Sequence, residues 1–172
     1  LKEFEVEFPQ TPTNQDVFHG SKAIKALLLE KNRSIKDLTK LPIMEAPEQL
    51  AILGLLQRII SVSYVAAPNL WGLLLCEMVK FSIQHGNAPA SISGYAAYGL
   101  ALAGIVYDME HGPERQEYAN DSYDFGKLAL EMVGILDNAK PYETSASHIF
   151  HGCISPWKDP LRETLTPLLK TY

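Results

Sequence analysis

The sequence predicts an all-α protein built of antiparallel helical hairpins. Three observations carry that expectation. Apolar residues recur at helical spacing along most of the 172 residues. Proline, glycine or asparagine stands at each break between those runs. No segment alternates strand-like with helix-like patterning, and connections this short force neighbouring helices to run antiparallel.

Each element follows from its own residues. Residues 4–13, FEVEFPQTPT, alternate apolar and acidic side chains and then meet prolines, which reads as an extended arm or short strand. A first helix is expected from Asn14, acting as its cap, to residue 32, with Val17, Ile24, Leu27 and Leu28 at helical spacing. Gly20 lowers helix propensity inside it. Ser34 opens a short second helix, SIKDLTKL, in which Asp37 completes a capping-box pattern and Pro42 ends the run. PEQLAILGLLQRIISVSYVAA places proline and glutamate in its first turn, where both are favourable. Pro68 closes that helix and opens NLWGLLLCEMVKFSIQHG, which Gly86 is placed to cap. Asn87 and Pro89 turn the chain into a helix expected to run to Gly112. Residues 113–140 form the next, with an apolar stripe of Phe125, Leu128, Met132 and Ile135. Pro141 and Pro156 bracket a helix over YETSASHIFHGCIS, and residues 159–172 form the last.

Residues 1–45 are thus an arm with lead-in helices, and residues 46–172 are hairpins continuous with them in one domain. A closed bundle and a solenoid both fit this order. A hairpin takes about forty residues, somewhat longer than the roughly 34 of a tetratricopeptide unit. In SGYAAYGLALAG, Tyr95, Tyr98, Gly99 and Leu102 follow the intervals of a tetratricopeptide first helix, where glycine admits a close partner; Gly126 or Ala129 is the expected counterpart. These features favour a short tetratricopeptide-like solenoid.

Composition narrows the function classes. With 47% hydrophobic and 20% charged residues, the chain is apolar enough to fold. Its net charge of -5 supplies no electrostatic drive toward nucleic acid or an anionic membrane. Cys76 and Cys153 make no CxxC pair, which fits a reducing, cytoplasmic setting. Tyrosines and single charges interrupt the apolar stretches, so neither a membrane span nor a signal peptide is expected. A start at Leu1 points to a piece of something longer.

The densest candidate for chemistry is HIFHGCISPW, residues 148–157. His148 and His151 share a helix face, and Cys153 follows. Zinc needs three or four ligands, and the helical metalloprotease motif also needs a glutamate where Ile149 stands. A third ligand would have to arrive from elsewhere, as His85 or His111. As a nucleophile Cys153 needs a positioned base and a lowered pKa, and the sequence offers no local signature for either; Cys76 lies in an apolar run that reads as core. The acidic residues Asp108, Glu110, Glu114, Glu117, Asp121 and Asp124 are read as solvating a connection and a helix start. HGSKAIK has one glycine and follows no strand, unlike a phosphate loop. Trp157 is expected to staple the turn before Arg162 and Glu163. No catalytic, cofactor-binding or metal-binding residue is therefore assigned.

The run PWKDPLRETLTPLLKTY resembles W-K-D/E-P-L-R-E-x-L, a stretch that recurs in the multi-sensor signal transduction multi-kinases of bacteria. SIKDLTKL resembles that family's short helix before the repeats, and residues 46–104 and 123–136 resemble its repeat region. Such proteins join a serine/threonine kinase, a STAND-type AAA ATPase, helical repeats, a GAF domain and a histidine kinase. The resemblance implies that this piece lies in the repeat region and carries none of the kinase, ATPase or phosphoacceptor residues. Two departures stand out: the connection EHGPERQEYANDS is longer than a short turn, and HIFHGCISPW replaces a more ordinary apolar helix.

Two functions follow. The first is a non-catalytic interaction and relay module that binds a protein partner, neighbouring domains of its own chain, or another copy of itself. The second is a sensor with a small-ligand pocket between helices, lined by Tyr95, Tyr98, His148, His151 and Trp157. Convergence of those side chains on one hollow would favour the second.

Overall fold

A computed structural model describes residues 8–170. The described residues are helical and contain no strand. Helix α1 spans Asn14–Glu30, α2 Pro47–Ala66, α3 Pro68–His85, α4 Pro89–Asp108, α5 Pro113–Ile135, α6 Glu143–Ile149 and α7 Leu161–Lys170. A 3₁₀ turn covers Ile35–Lys40, and a π-helical turn, Phe150–Ile154, continues α6. Residues 4–7 of the expected arm lie outside the described residues; Phe8 packs against the core.

Proline at the first turn starts α2, α3, α4 and α5, because its missing N–H is an unpaired donor there in any case. Helix α1 is capped by Thr13 rather than Asn14: Thr13 Oγ1 accepts from the Asp16 N–H, and Asp16 Oδ2 accepts from the Thr13 N–H at 2.8 Å. Ser34 and Asp37 form the expected capping box, but on a 3₁₀ turn. The chain after α4 is shorter than expected. Helix α4 ends at Asp108 and Pro113 already begins α5, so four residues connect them. The buried stripe of α5 runs to Met132 and continues to Leu136 at its C-cap, whereas Ile135 is exposed.

Close approaches at glycine set the crossings. On the α1–α3 contact, a Cβ at Gly20 would stand 2.9 Å from Cys76 Sγ, and one at Gly72 would stand 2.6 Å from Val17. That packing accounts for the propensity sacrificed at Gly20. On the α4–α5 contact, a Cβ at Gly99 would meet Ser122 O at 2.9 Å and the Gly126 nitrogen at 3.1 Å. Gly126 is therefore the counterpart of Gly99. Ser122 Oγ donates to Gly99 O across the same contact at 2.7 Å.

Asn87 joins the lead-in to the hairpins. It is fully buried; its Nδ2 donates to Leu38 O at 2.7 Å, and its Oδ1 accepts from the Tyr95 hydroxyl at 2.7 Å. Its backbone bonds Pro42 O and the Met44 N–H, making an isolated parallel bridge with residue 43. Gly86, at φ 105°, brings the chain against the Pro42 carbonyl, a conformation and a contact that deny space to any side chain. Lead-in and hairpins thus share one core, which includes Ile24, Leu28, Leu38, Leu75, Met78 and Phe125. Each such large side chain contributes about 1.5–3 kcal/mol on full burial.

The acidic residues near α5 do more than solvate a connection. Lys25 of α1 pairs with Asp121 at 2.8 Å and Glu117 at 2.9 Å, and lies 3.7 Å from the Tyr118 ring centroid. Burial works against the Lys25 charge, but its bonds to Asp121 and Glu117 outweigh that and hold the ammonium above its ordinary value. Burial also raises Asp121, against the pull of Lys25. By length and composition, α2 and α4 are each apolar enough to cross a membrane, which the interrupted runs did not suggest; half of the α4 span is buried within the protein.

Candidate functional site

The site is built around the π-helical turn. Pro156 has no N–H, and a proline ring clashes with the carbonyl four residues earlier in a regular helix. The turn before it widens, and the Ser155 N–H reaches Phe150 O, five residues back. Phe150 and Ile154 sit over Gly126, whose absent side chain makes the room: a Cβ there would lie 2.6 Å from Phe150 and 2.9 Å from Ile154. This anchors the turn on α5 and leaves Gly152 exposed. Trp157 Nε1 donates to Cys153 O at 3.1 Å. The Trp157 indole is 74% exposed, so it does not staple the last helix as the sequence suggested.

Beside this turn a groove runs in two parts. The larger hollow, about 730 Å³, has an aromatic lining that includes Phe18, Tyr64, Trp71, Tyr107 and Trp157, with Cys153 at its wall. Tyr64 and Trp71 hold one another edge to face at 5.1 Å. The smaller hollow, about 290 Å³, is lined in part by His111, Arg115, Tyr123 and Lys158. Ala103, Tyr107 and Trp157 line both, so the parts meet there. Arg115 Nε donates to Val106 O at 3.0 Å, satisfying a carbonyl at the end of α4. Lys158 lies 4.5 Å from the Tyr123 ring centroid and 3.3 Å from Asn120 Oδ1.

The residues singled out by sequence do not converge. Tyr95 and Tyr98 are core residues: Tyr95 bonds Asn87, and Tyr98 meets Phe125 edge on at 4.8 Å. Burial pushes both phenols up. His148 is exposed; His151 is half-buried against the Phe150 ring at 4.9 Å. Burial lowers the His151 pKa, with Asp159 opposing. Only Trp157 of that set lines the groove, joined by Cys153. Among the described residues no three His, Cys, Asp or Glu side chains are grouped to hold a metal ion. Cys76 is a core residue, and burial pushes its thiol up to about 12, which keeps it protonated.

No protein-family model matches the chain, and comparisons with curated proteins and with solved structures return no match. The groove itself was not read from the sequence. Tyr64 and Tyr107 lie near the ends of apolar helices, and Arg115 lies in a segment read as an overlong connection. Helical phase cannot show that these meet Trp157 in space.

Proposed function

We propose that the chain is a non-catalytic protein-interaction and relay module that works in the cytoplasm. Its hairpins α2–α3, α4–α5 and α6–α7 would stack as a short tetratricopeptide-like unit, and each of these helices packs on its successor in sequence through α6. The observation that carries the reading is the aromatic-walled groove with Tyr107 and Trp157 standing 75% and 74% exposed. Exposed aromatics beside an apolar hollow are the usual anchors of protein interfaces. Helix α7 adds Leu161, Leu165 and Leu169 as an exposed stripe on one helix face. In the multi-kinase that the C-terminal run resembles, a neighbouring domain or an outside signalling protein would occupy the groove and bias the resting state.

A photo-crosslinking residue placed at Tyr107 in the full chain tests this in cells. A polypeptide adduct at Tyr107 that is absent from a control position at Lys127 is expected. Equal labelling at both positions, or none at Tyr107, would overturn it. A second reading, a small-ligand sensor, draws on the volume of the larger hollow, which falls in the range of about 300–1,000 Å³ common to ligand sites. Its original lining is reduced to Trp157.

A further inference from the structure

We infer that the groove selects a peptide segment carrying a large apolar side chain close to an acidic group. This deepens the interaction reading and rests on it. The two parts of the groove differ in chemistry. The larger is walled by aromatic rings and fits an apolar anchor. The smaller has Arg115 and Lys158 in its lining and no aspartate or glutamate, in a chain whose net charge is -5.

Both cations are held in place without being neutralised. Arg115 spends its Nε proton on the Val106 carbonyl. No carboxylate lies within ion-pair distance of Arg115 or Lys158 among the described residues, although six other ion pairs form. Lys158 rests over the Tyr123 ring and on Asn120 Oδ1. Each cation has a carboxylate beside it in the chain, and neither is part of the lining: Glu114 pairs with Lys22 at 3.5 Å, and Asp159 accepts from the Tyr123 hydroxyl at 2.9 Å. A fixed guanidinium and a fixed ammonium in one hollow are complementary to a carboxylate.

The shared wall decides between a peptide and a compact small molecule. Tyr107 and Trp157 border both hollows, so an occupant of both must run past them. A segment of chain does this with two successive side chains. Asp108 lines the larger hollow, which sets polarity: the acidic group belongs at the Arg115 end, and the Asp108 end disfavours a second one.

The test is a random peptide library selected on the full 172-residue chain, with affinities of the enriched peptides measured by fluorescence anisotropy. Enriched peptides are expected to share an aromatic or large aliphatic residue within a few positions of Asp or Glu. Replacing that acid by its amide should weaken binding. Lys158→Gln should weaken it about fivefold, and the Arg115→Gln, Lys158→Gln double variant about twentyfold, as one and two partly exposed ion pairs predict. Unchanged melting temperature of Lys158→Gln separates this from unfolding. Enrichment of neutral or basic apolar peptides, or affinities indifferent to Lys158→Gln, overturns the acidic preference and leaves the interaction reading standing. Failure to enrich any peptide overturns both. Saturable binding of benzoate at Lys158 without peptide enrichment also overturns both, and assigns the hollow to a small organic anion.

Discussion

The helix pairs α2–α3 and α4–α5 are made of similar material and packed differently. Both α2 and α4 have 20 residues, begin with proline and are strongly apolar. Yet α4 buries ten residues, among them Tyr95, Tyr98 and Leu102, while α2 buries four and exposes Leu55, Val62, Tyr64 and Val65. Their glycines show why. A Cβ at Gly99 of α4 would run into the backbone of α5, whereas one at Gly54 of α2 meets nothing within 4 Å. Small residues at a crossing let backbones meet and seal a helix on several sides. Apolar composition alone does not.

The largest expected effect attacks that contact. Gly99→Val should destabilise the protein by about 3 kcal/mol, because the two nearest atoms it meets are backbone and have no rotamer to yield. Urea unfolding checks it, and a midpoint unchanged from wild type would end the comparison. Next comes Asn87→Ala, which removes two buried hydrogen bonds, to the Leu38 carbonyl and from the Tyr95 hydroxyl; a loss of about 1–3 kcal/mol is expected by the same method. Gly54→Ala should act in the opposite direction, stabilising by about 0.5–1 kcal/mol through helix propensity at an open position. Destabilisation there would mean that α2 has a tight neighbour after all. Trp157→Ala should leave stability within about 0.5 kcal/mol, since most of its ring is in solvent, while weakening peptide capture.

The smallest effects are those of pH. Hydrogen bonds from Thr13 lower Asp16, and Lys40 followed by Ser34 lowers Asp37. A depressed carboxyl stabilises the fold above its unfolded value, about pH 4, and loses that contribution as pH falls through its folded value. Melting temperature should therefore decline below about pH 4, less steeply in Asp37→Asn. Asp121, raised by burial, works with the opposite sign. His151, lowered by burial, contributes above the ordinary imidazole value of about 6.5 and loses that as pH falls. A small decline below that value should vanish in His151→Gln.

Much of the helical order was legible because its signals are local. Pro47, Pro68, Pro89 and Pro113 mark first turns, and Gly86 marks a helix end. The Gly99–Gly126 contact was also legible, as one glycine at a helical interval calls for a small partner. Other features escaped. Thr13 took the cap from Asn14 because its hydroxyl could bond Asp16 reciprocally, and either residue type suits the position. HIFHGC reads as a cluster of polar side chains, but in the fold it forms a widened turn before Pro156.

By itself the sequence determined the all-α class, most helix starts and the need for a close crossing at Gly99, since each depends on dihedral preference or on spacing within one element. Only the tertiary structure decided which apolar helix is buried, that Tyr95 and Tyr98 belong to the core, and that Tyr107, Arg115, Trp157 and Lys158 line one hollow. Those outcomes depend on distances between atoms far apart in the chain, which helical periodicity does not encode.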